Sequence, residues 1–185
     1  MSVEPTRHSF TVDEYERIGA AGLLPPDRRL ELIDGDIIEM TPIGPPHAYV
    51  VDQLAEWAMQ QLAGRARVRV QGPVRISDLT EPEPDLMVLR PAGSEYRSRH
   101  PRPDDVLLVI EVSDTTAHFD RRVKRPLYAT AGISELWIVD LGAHLIEIAT
   151  SPAAGRYEAV RRVRKGQVAP RAFPDMQLTV EDLLD

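Results

Sequence analysis

The sequence predicts an α/β (α+β) fold, with a mixed β-sheet flanked by helices and an N-terminal β-hairpin. Three observations carry this. Residues 30–40, LELIDGDIIEM, alternate around Asp34-Gly35, a dipeptide suited to a two-residue hairpin turn. Residues 106–112, VLLVIEV, are a nearly unbroken apolar run, the pattern of a central strand buried on both faces. Around these stretches lie segments whose apolar residues recur at helical spacing.

The elements follow in order. Thr11 and Glu14 have capping-box spacing, so a short helix should open there and run to about Gly19. Residues 22–27, with Pro25 and Pro26, read as a loop ahead of the hairpin. Residues 44–46 break the chain again. His47 to Leu62 carries apolar residues at 50, 51, 54, 57, 58 and 62, a helical stripe with Gly64 as its stop. Arg67 to Ser77 reads as one or two strands bent near Gly72-Pro73, and Asp85 to Leu89 as a strand introduced by turn-rich residues 81–84. Residues 91–105 are polar, rich in proline and arginine, and read as a long exposed loop. Phe119 to Ala131 is a helix ending at Gly132. Glu135 to Asp140 and His144 to Ala149 are strands joined by a turn at Leu141-Gly142. Tyr157 to Val163 alternates like an edge strand, and Thr179 to Leu184 suits a closing helix. With no repeat and no linker, one domain is expected over residues 1–185, its core at about 10–180.

Composition narrows the function classes. There are no cysteines, which excludes a disulfide framework, a thiolate zinc site and a cysteine nucleophile. The N-terminal stretch is polar and lacks an apolar signal region, and the longest apolar run is too short to span a bilayer, so a cytoplasmic protein without membrane contact is expected. The net charge of −7 makes any contact with nucleic acid a local matter rather than one of bulk charge. Of the 22 basic residues only Lys124 and Lys165 are lysines, so a lysine at a particular place carries information.

The candidate chemistry lies in carboxylates set into apolar strands. Glu111 ends the most hydrophobic run of the chain, and Asp85 opens DLMVL directly after Pro84. A buried carboxylate is costly unless it is paired or bound to a cation. If these strands are neighbours, the two carboxylates converge at one end of the sheet, where they repel unless one is protonated or a cation lies between them. Oxygen ligands of this kind suit Mg²⁺, Mn²⁺ or Ca²⁺ rather than zinc. The alternative is structural: Asp85 caps a turn and Glu111 pairs with an arginine. Glu31 is a charged residue among Leu30, Leu32 and Ile33 and shares a face with Ile33 by strand alternation. The histidines show no ligand spacing. Arg97, Arg99, His100 and Arg102, and Arg161, Arg162, Arg164 and Lys165, form two basic groups able to meet a phosphate backbone or simply to face solvent.

Pro84-Asp85, then residues 111–116 (EVSDTT), then Asp120 and Lys124, then Tyr128 and Gly132, then residues 135–140 (ELWIVD) together resemble the Uma2 family of endonucleases. Residues 31–35 and the helix opened by His47 fit the same pattern, so the resemblance covers roughly residues 10–180. It implies a restriction-endonuclease-like core of the PD-(D/E)XK type, with nucleic acid, DNA in the first place, as substrate. Carried onto this chain, Asp85 and Glu111 hold Mg²⁺ or Mn²⁺, Glu31 is the additional acidic ligand, and Lys124 assists attack by water. The chain departs from the parent motif at Ser113, where Glu-X-Lys would have its lysine; the resemblance implies that Lys124 supplies that charge from the following helix. Ser113, Tyr128, His47 and Gln71 are candidate supporting residues. Ser113 either bonds a metal-bound water or caps the next segment, and Asp120 either contacts Lys124 or forms a surface pair. Double-strand cutting often uses two sites, so a homodimer is an expected arrangement. The competing reading is a non-catalytic module that keeps the nuclease fold for binding or assembly.

Overall fold

A computed structural model describes residues 6–185; the first five residues of the polar N-terminal stretch lie outside it. The chain opens with α1 (Val12–Ala20). Thr11 and Glu14 cap it reciprocally: the Glu14 amide donates to Thr11 Oγ1 and the Thr11 amide to Glu14 Oε2. The hairpin follows as β1 (Leu30–Ile33) and β2 (Asp36–Glu39), antiparallel, with Asp34 and Gly35 both at positive φ in the turn. A Cβ on Gly35 would lie 2.5 Å from Ser9 Cβ, so glycine is needed there for close approach as well as conformation.

Next comes α2 (Pro45–Leu62). It begins two residues before the expected His47, because Pro45 and Pro46 occupy its first turn, where their missing donors cost nothing. Six strands then build one mixed sheet: β3 (Arg67–Val70), β4 (Leu86–Leu89), β5 (Val106–Ser113), β6 (Glu135–Asp140), β7 (Leu145–Ala153) and β8 (Arg156–Val163), in that spatial order. Only β5 and β6 pair in parallel, and the helical segment between them is the crossover. A small ladder of β9 (Gln167–Val168) and β10 (Leu178–Thr179) leads into α5 (Val180–Leu184).

Side-chain alternation sorts β5 between two cores. Leu108, Ile110 and Val112 pack with α2 residues such as Leu54 and Leu62, and Trp137 joins them, stacked on Trp57. Val109 packs on the opposite face with Met87, Tyr128 and Ile133. Glu111 and Ser113 follow Val109 in the alternation, so they face the crossover helix, not α2.

The crossover departs from a plain helix over 119–131. It starts at Ala117 as α3 (Ala117–Phe119), widens into a π-helical turn over Asp120–Lys124, and continues as α4 (Arg125–Thr130). Pro126 explains the widening, because it lacks the amide that would bond to Arg122; instead the Arg125 amide reaches back five residues to the Asp120 carbonyl. Asp120, Lys124 and Tyr128 are buried along one side of this segment.

Three expectations need correction. Residues 67–77 do not form a second strand: the ladder stops at Val70, where Gln71 takes φ 45° and Pro73 has no donor, and residues 74–77 close a loop onto Thr80 and Pro82 instead. Residues 91–105 are not a bare loop. They contain two short 3₁₀ turns (Glu95–Arg97 and Pro103–Asp105), tied by Arg99 to Glu95 and Asp105. The strand expected from His144 starts at Leu145 and runs on to Ala153, since His144 sits in the turn at φ 48°.

Candidate functional site

The C-terminal end of β5 and the N-terminal end of β4 lie side by side, since Leu86 pairs with Ile110. This puts Asp85 next to Val112, whose amide donates to Asp85 Oδ2 at 2.9 Å. His47, in the first turn of α2, reaches the same oxygen with Nε2 at 3.2 Å. Burial alone would raise the Asp85 pKa, but the His47 bond and charge, then the Val112 amide and Lys124, hold it below the ordinary carboxylate value. The other oxygen, Oδ1, is buried without a hydrogen-bond partner; the Arg29 guanidinium is 3.8 Å away.

Lys124 projects from the π-turn into the same region. Its ammonium donates to Glu31 Oε1 at 3.0 Å and lies 3.2 Å from Glu111 Oε1. The Tyr128 hydroxyl donates to Glu111 Oε1 at 2.6 Å. All four residues are at most 3% exposed. Burial works against a charged Lys124, but the carboxylates of Glu111, Glu31 and Asp120 outweigh it and raise its pKa, so the ammonium is firmly protonated. For Glu111 the balance runs the other way: burial comes first and pushes its carboxyl up, Lys124 offsets part of this, and Asp120, Asp85 and Glu31 add to the rise. The two shifts describe one fact. One buried ammonium serves several buried carboxylates, so it stays charged while they cannot all be ionised.

Ser113 neither caps a helix nor stands free: its hydroxyl donates to Asp120 Oδ2 at 2.7 Å, and Thr116 Oγ1 donates to the same atom at 2.9 Å. Asp120 is therefore no surface pair but a buried carboxyl, its pKa raised by that burial. Gln71 stands apart: its side chain is exposed, and only its backbone amide touches the site strand, at the Asp85 carbonyl.

A cavity of about 140 Å³ opens beside these groups. Its lining includes Asp85, Glu111, Lys124, His47 and Asp120, with Thr116, which the motif contained without a role, and Arg29, which the sequence reading passed over. Arg29 precedes an apolar run and carried no motif to mark it. The donor chemistry suits a hard divalent cation: carboxylate oxygens dominate, and Asp85 Oδ1 and Glu31 Oε2 are buried acceptors lacking any donor. Glu31, Asp85 and Glu111 do not all converge, because Lys124 stands between Glu31 and Glu111. Among the described residues, the three-ligand group with all its ligand atoms within 4.8 Å of one another is a different one, Glu16, Glu81 and His100.

The sequence model of the Uma2 family, described as "Putative restriction endonuclease", matches residues 12–181. The chain belongs to the Uma2 family. A solved structure from Anabaena variabilis, a "putative nuclease belonging to DUF820", superposes with a TM-score of 0.71 at 16% sequence identity, over 95% of this chain and 97% of that one. At that identity the likeness establishes the fold alone. No curated protein sequence matches the chain. Among the described residues no helix is long and apolar enough to cross a membrane.

Proposed function

We propose that this Uma2 protein is a one-domain, cytoplasmic, divalent-metal-dependent endonuclease that hydrolyses nucleic-acid phosphodiester bonds, with DNA as its first substrate. One observation carries the reading. Four buried carboxyl groups, those of Glu31, Asp85, Glu111 and Asp120, gather around one buried ammonium; all but Glu31 line a cavity, and Asp85 Oδ1 is buried without a hydrogen-bond partner. Such an arrangement is poorly stable as it stands and is completed by a divalent cation.

In this reading Asp85 and Glu111 hold Mg²⁺ or Mn²⁺, which when bound supplies Lewis-acid polarisation of a phosphate oxygen and lowers the pKa of water. His47 and the Val112 amide fix the Asp85 carboxylate, and Tyr128 fixes that of Glu111. Glu31, the additional acidic residue, acts through Lys124, which it holds in place. In the metal-free site the carboxylates of Glu111, Glu31 and Asp120 keep Lys124 protonated. It places positive charge and N–H donors beside the reacting phosphate and orients water. Ser113 holds the Asp120 carboxyl against the end of β5. A homodimer would supply the two sites that cutting a duplex requires.

The test is cleavage of supercoiled plasmid, linear duplex, single-stranded DNA and RNA in Mg²⁺, Mn²⁺ or chelator. Metal-dependent cleavage that is lost in Asp85→Ala supports the proposal. The competing binding-module reading draws on the small cavity and on the wedge that Lys124 makes between Glu31 and Glu111. Metal-independent nucleic-acid binding with no cleavage under any condition would establish that reading instead.

A further inference from the structure

We infer that Glu16, Glu81 and His100 form a second cation site, separate from the Asp85–Glu111 cavity, that takes a divalent transition-metal ion of the Zn²⁺ or Mn²⁺ class. One ligand atom of each of these residues lies within 4.8 Å of the other two. They come from three separate segments: α1, the connection between β3 and β4, and the segment 91–105. Glu81 is the deciding residue. It is only 4% exposed, its Oε2 is buried with no hydrogen-bond partner, and no cationic side chain is within ion-pair distance of it among the described residues. The arginines of this region are committed elsewhere. Arg75 is bound to Asp13 and Asp78, and Arg69 contacts the Pro73 carbonyl and lies 3.5 Å from His100 Nδ1, a long contact.

A buried, unbonded carboxylate beside a second carboxylate is costly unless something neutralises it. Burial, and then the neighbouring Glu16, push the Glu81 carboxyl up to about 7. Two carboxylates and a neutral imidazole match the charge of one divalent ion. The mixed oxygen and nitrogen set favours a transition metal over Mg²⁺ or Ca²⁺, which prefer oxygen alone. With three protein ligands, the remaining coordination positions are left to water. An ion there would clip α1 and the segment 91–105 to the connection that leads into Asp85. The site would thus brace the entry to β4 without taking part in chemistry.

The experiment uses the full chain without a histidine tag and with Asp85→Asn, which weakens the first site. Zn²⁺ alone is titrated by calorimetry and in thermal unfolding. One ion per chain and a rise of roughly several °C in the unfolding midpoint are expected. Glu81→Gln should abolish both while leaving the metal-free protein at least as stable, since it removes a buried charge. Glu16→Gln, on the exposed side, cannot disturb packing and should weaken binding by at least about tenfold; His100→Gln should do the same. If Glu81→Gln fails to fold, the other two variants decide. Absence of Zn²⁺ binding, or binding unchanged by both Glu16→Gln and His100→Gln, overturns the inference.

Discussion

Two buried acidic clusters flank the crossover helix, and they differ in how their charge is met. Glu147 sits in the apolar strand β7 at 1% exposure, and three arginines converge on it: Arg121 at 2.8 Å, Arg162 at 3.0 Å and Arg125 at 3.2 Å. Arg121 also binds Asp140. On the other side Lys124 alone serves Glu31 and Glu111, with Asp85 and Asp120 close by. The first cluster has more cations than anions, and its guanidiniums reach solvent. The second has more carboxyl groups than cations and lies under cover. A charged residue inside a strand is therefore no sign of function by itself. What marks the Glu111 cluster is the unmatched negative charge beside a cavity.

The largest effect should come from Lys124→Ala. Glu31 and Glu111 both lose the buried ammonium between them, so a cost of about 3–5 kcal/mol is expected in denaturant unfolding. Any folded protein should cleave about 10²- to 10³-fold more slowly. Lys124→Arg should rescue neither property, since the site is closed around an ammonium and a fork-shaped guanidinium is too large for it.

Glu111 allows a pH test. Unfolded, its carboxyl gives up its proton near the ordinary value of 4.5; folded and metal-free, it holds the proton to about 8. Between those limits the folded state binds more protons, so stability falls as pH rises, by at most about 1.4 kcal/mol per pH unit for one group. Glu111→Gln should flatten that slope and abolish cleavage. Chemical unfolding at several pH values in chelator measures it, and equal slopes for the two proteins would break the argument.

Glu147→Gln is the control from the compensated cluster. Its arginines are a quarter to two-thirds exposed, so solvent takes up much of the loss. Destabilisation of about 1–2 kcal/mol is expected, with cleavage per folded molecule unchanged. A large loss of activity would erase the contrast between the clusters.

Most of the fold was legible because local signals agreed with the global one. Asp34-Gly35 fixed the hairpin, VLLVIEV the central strand, and Thr11 with Glu14 the first cap. The ladder of β9 and β10 was not, since two-residue strands carry no period. The π-turn was hidden behind an ordinary helical pattern, although Pro126 was its signal. Lys124 stood out because the chain otherwise uses arginine and because it falls within the Uma2 pattern. Glu147 passed unnoticed, its partners lying far away in sequence, and Glu81 was taken for part of a turn-rich stretch. Three-dimensional pairing, which decides whether a buried acid is compensated, leaves no periodic trace in one sequence.

The smallest effect belongs to Ser113→Ala. Asp120 keeps its Thr116 bond, so about 1 kcal/mol of stability should be lost, with less than about tenfold loss of cleavage.

The central claim, that the surplus carboxylates at the ends of β4 and β5 are completed by a divalent cation, is tested most directly by crystals of the full chain soaked in Mn²⁺. Anomalous scattering should place an ion in contact with both Asp85 and Glu111, with the Lys124 ammonium still beside Glu31. Saturating Mn²⁺ that leaves the space between Asp85 and Glu111 without an anomalous peak would contradict the account.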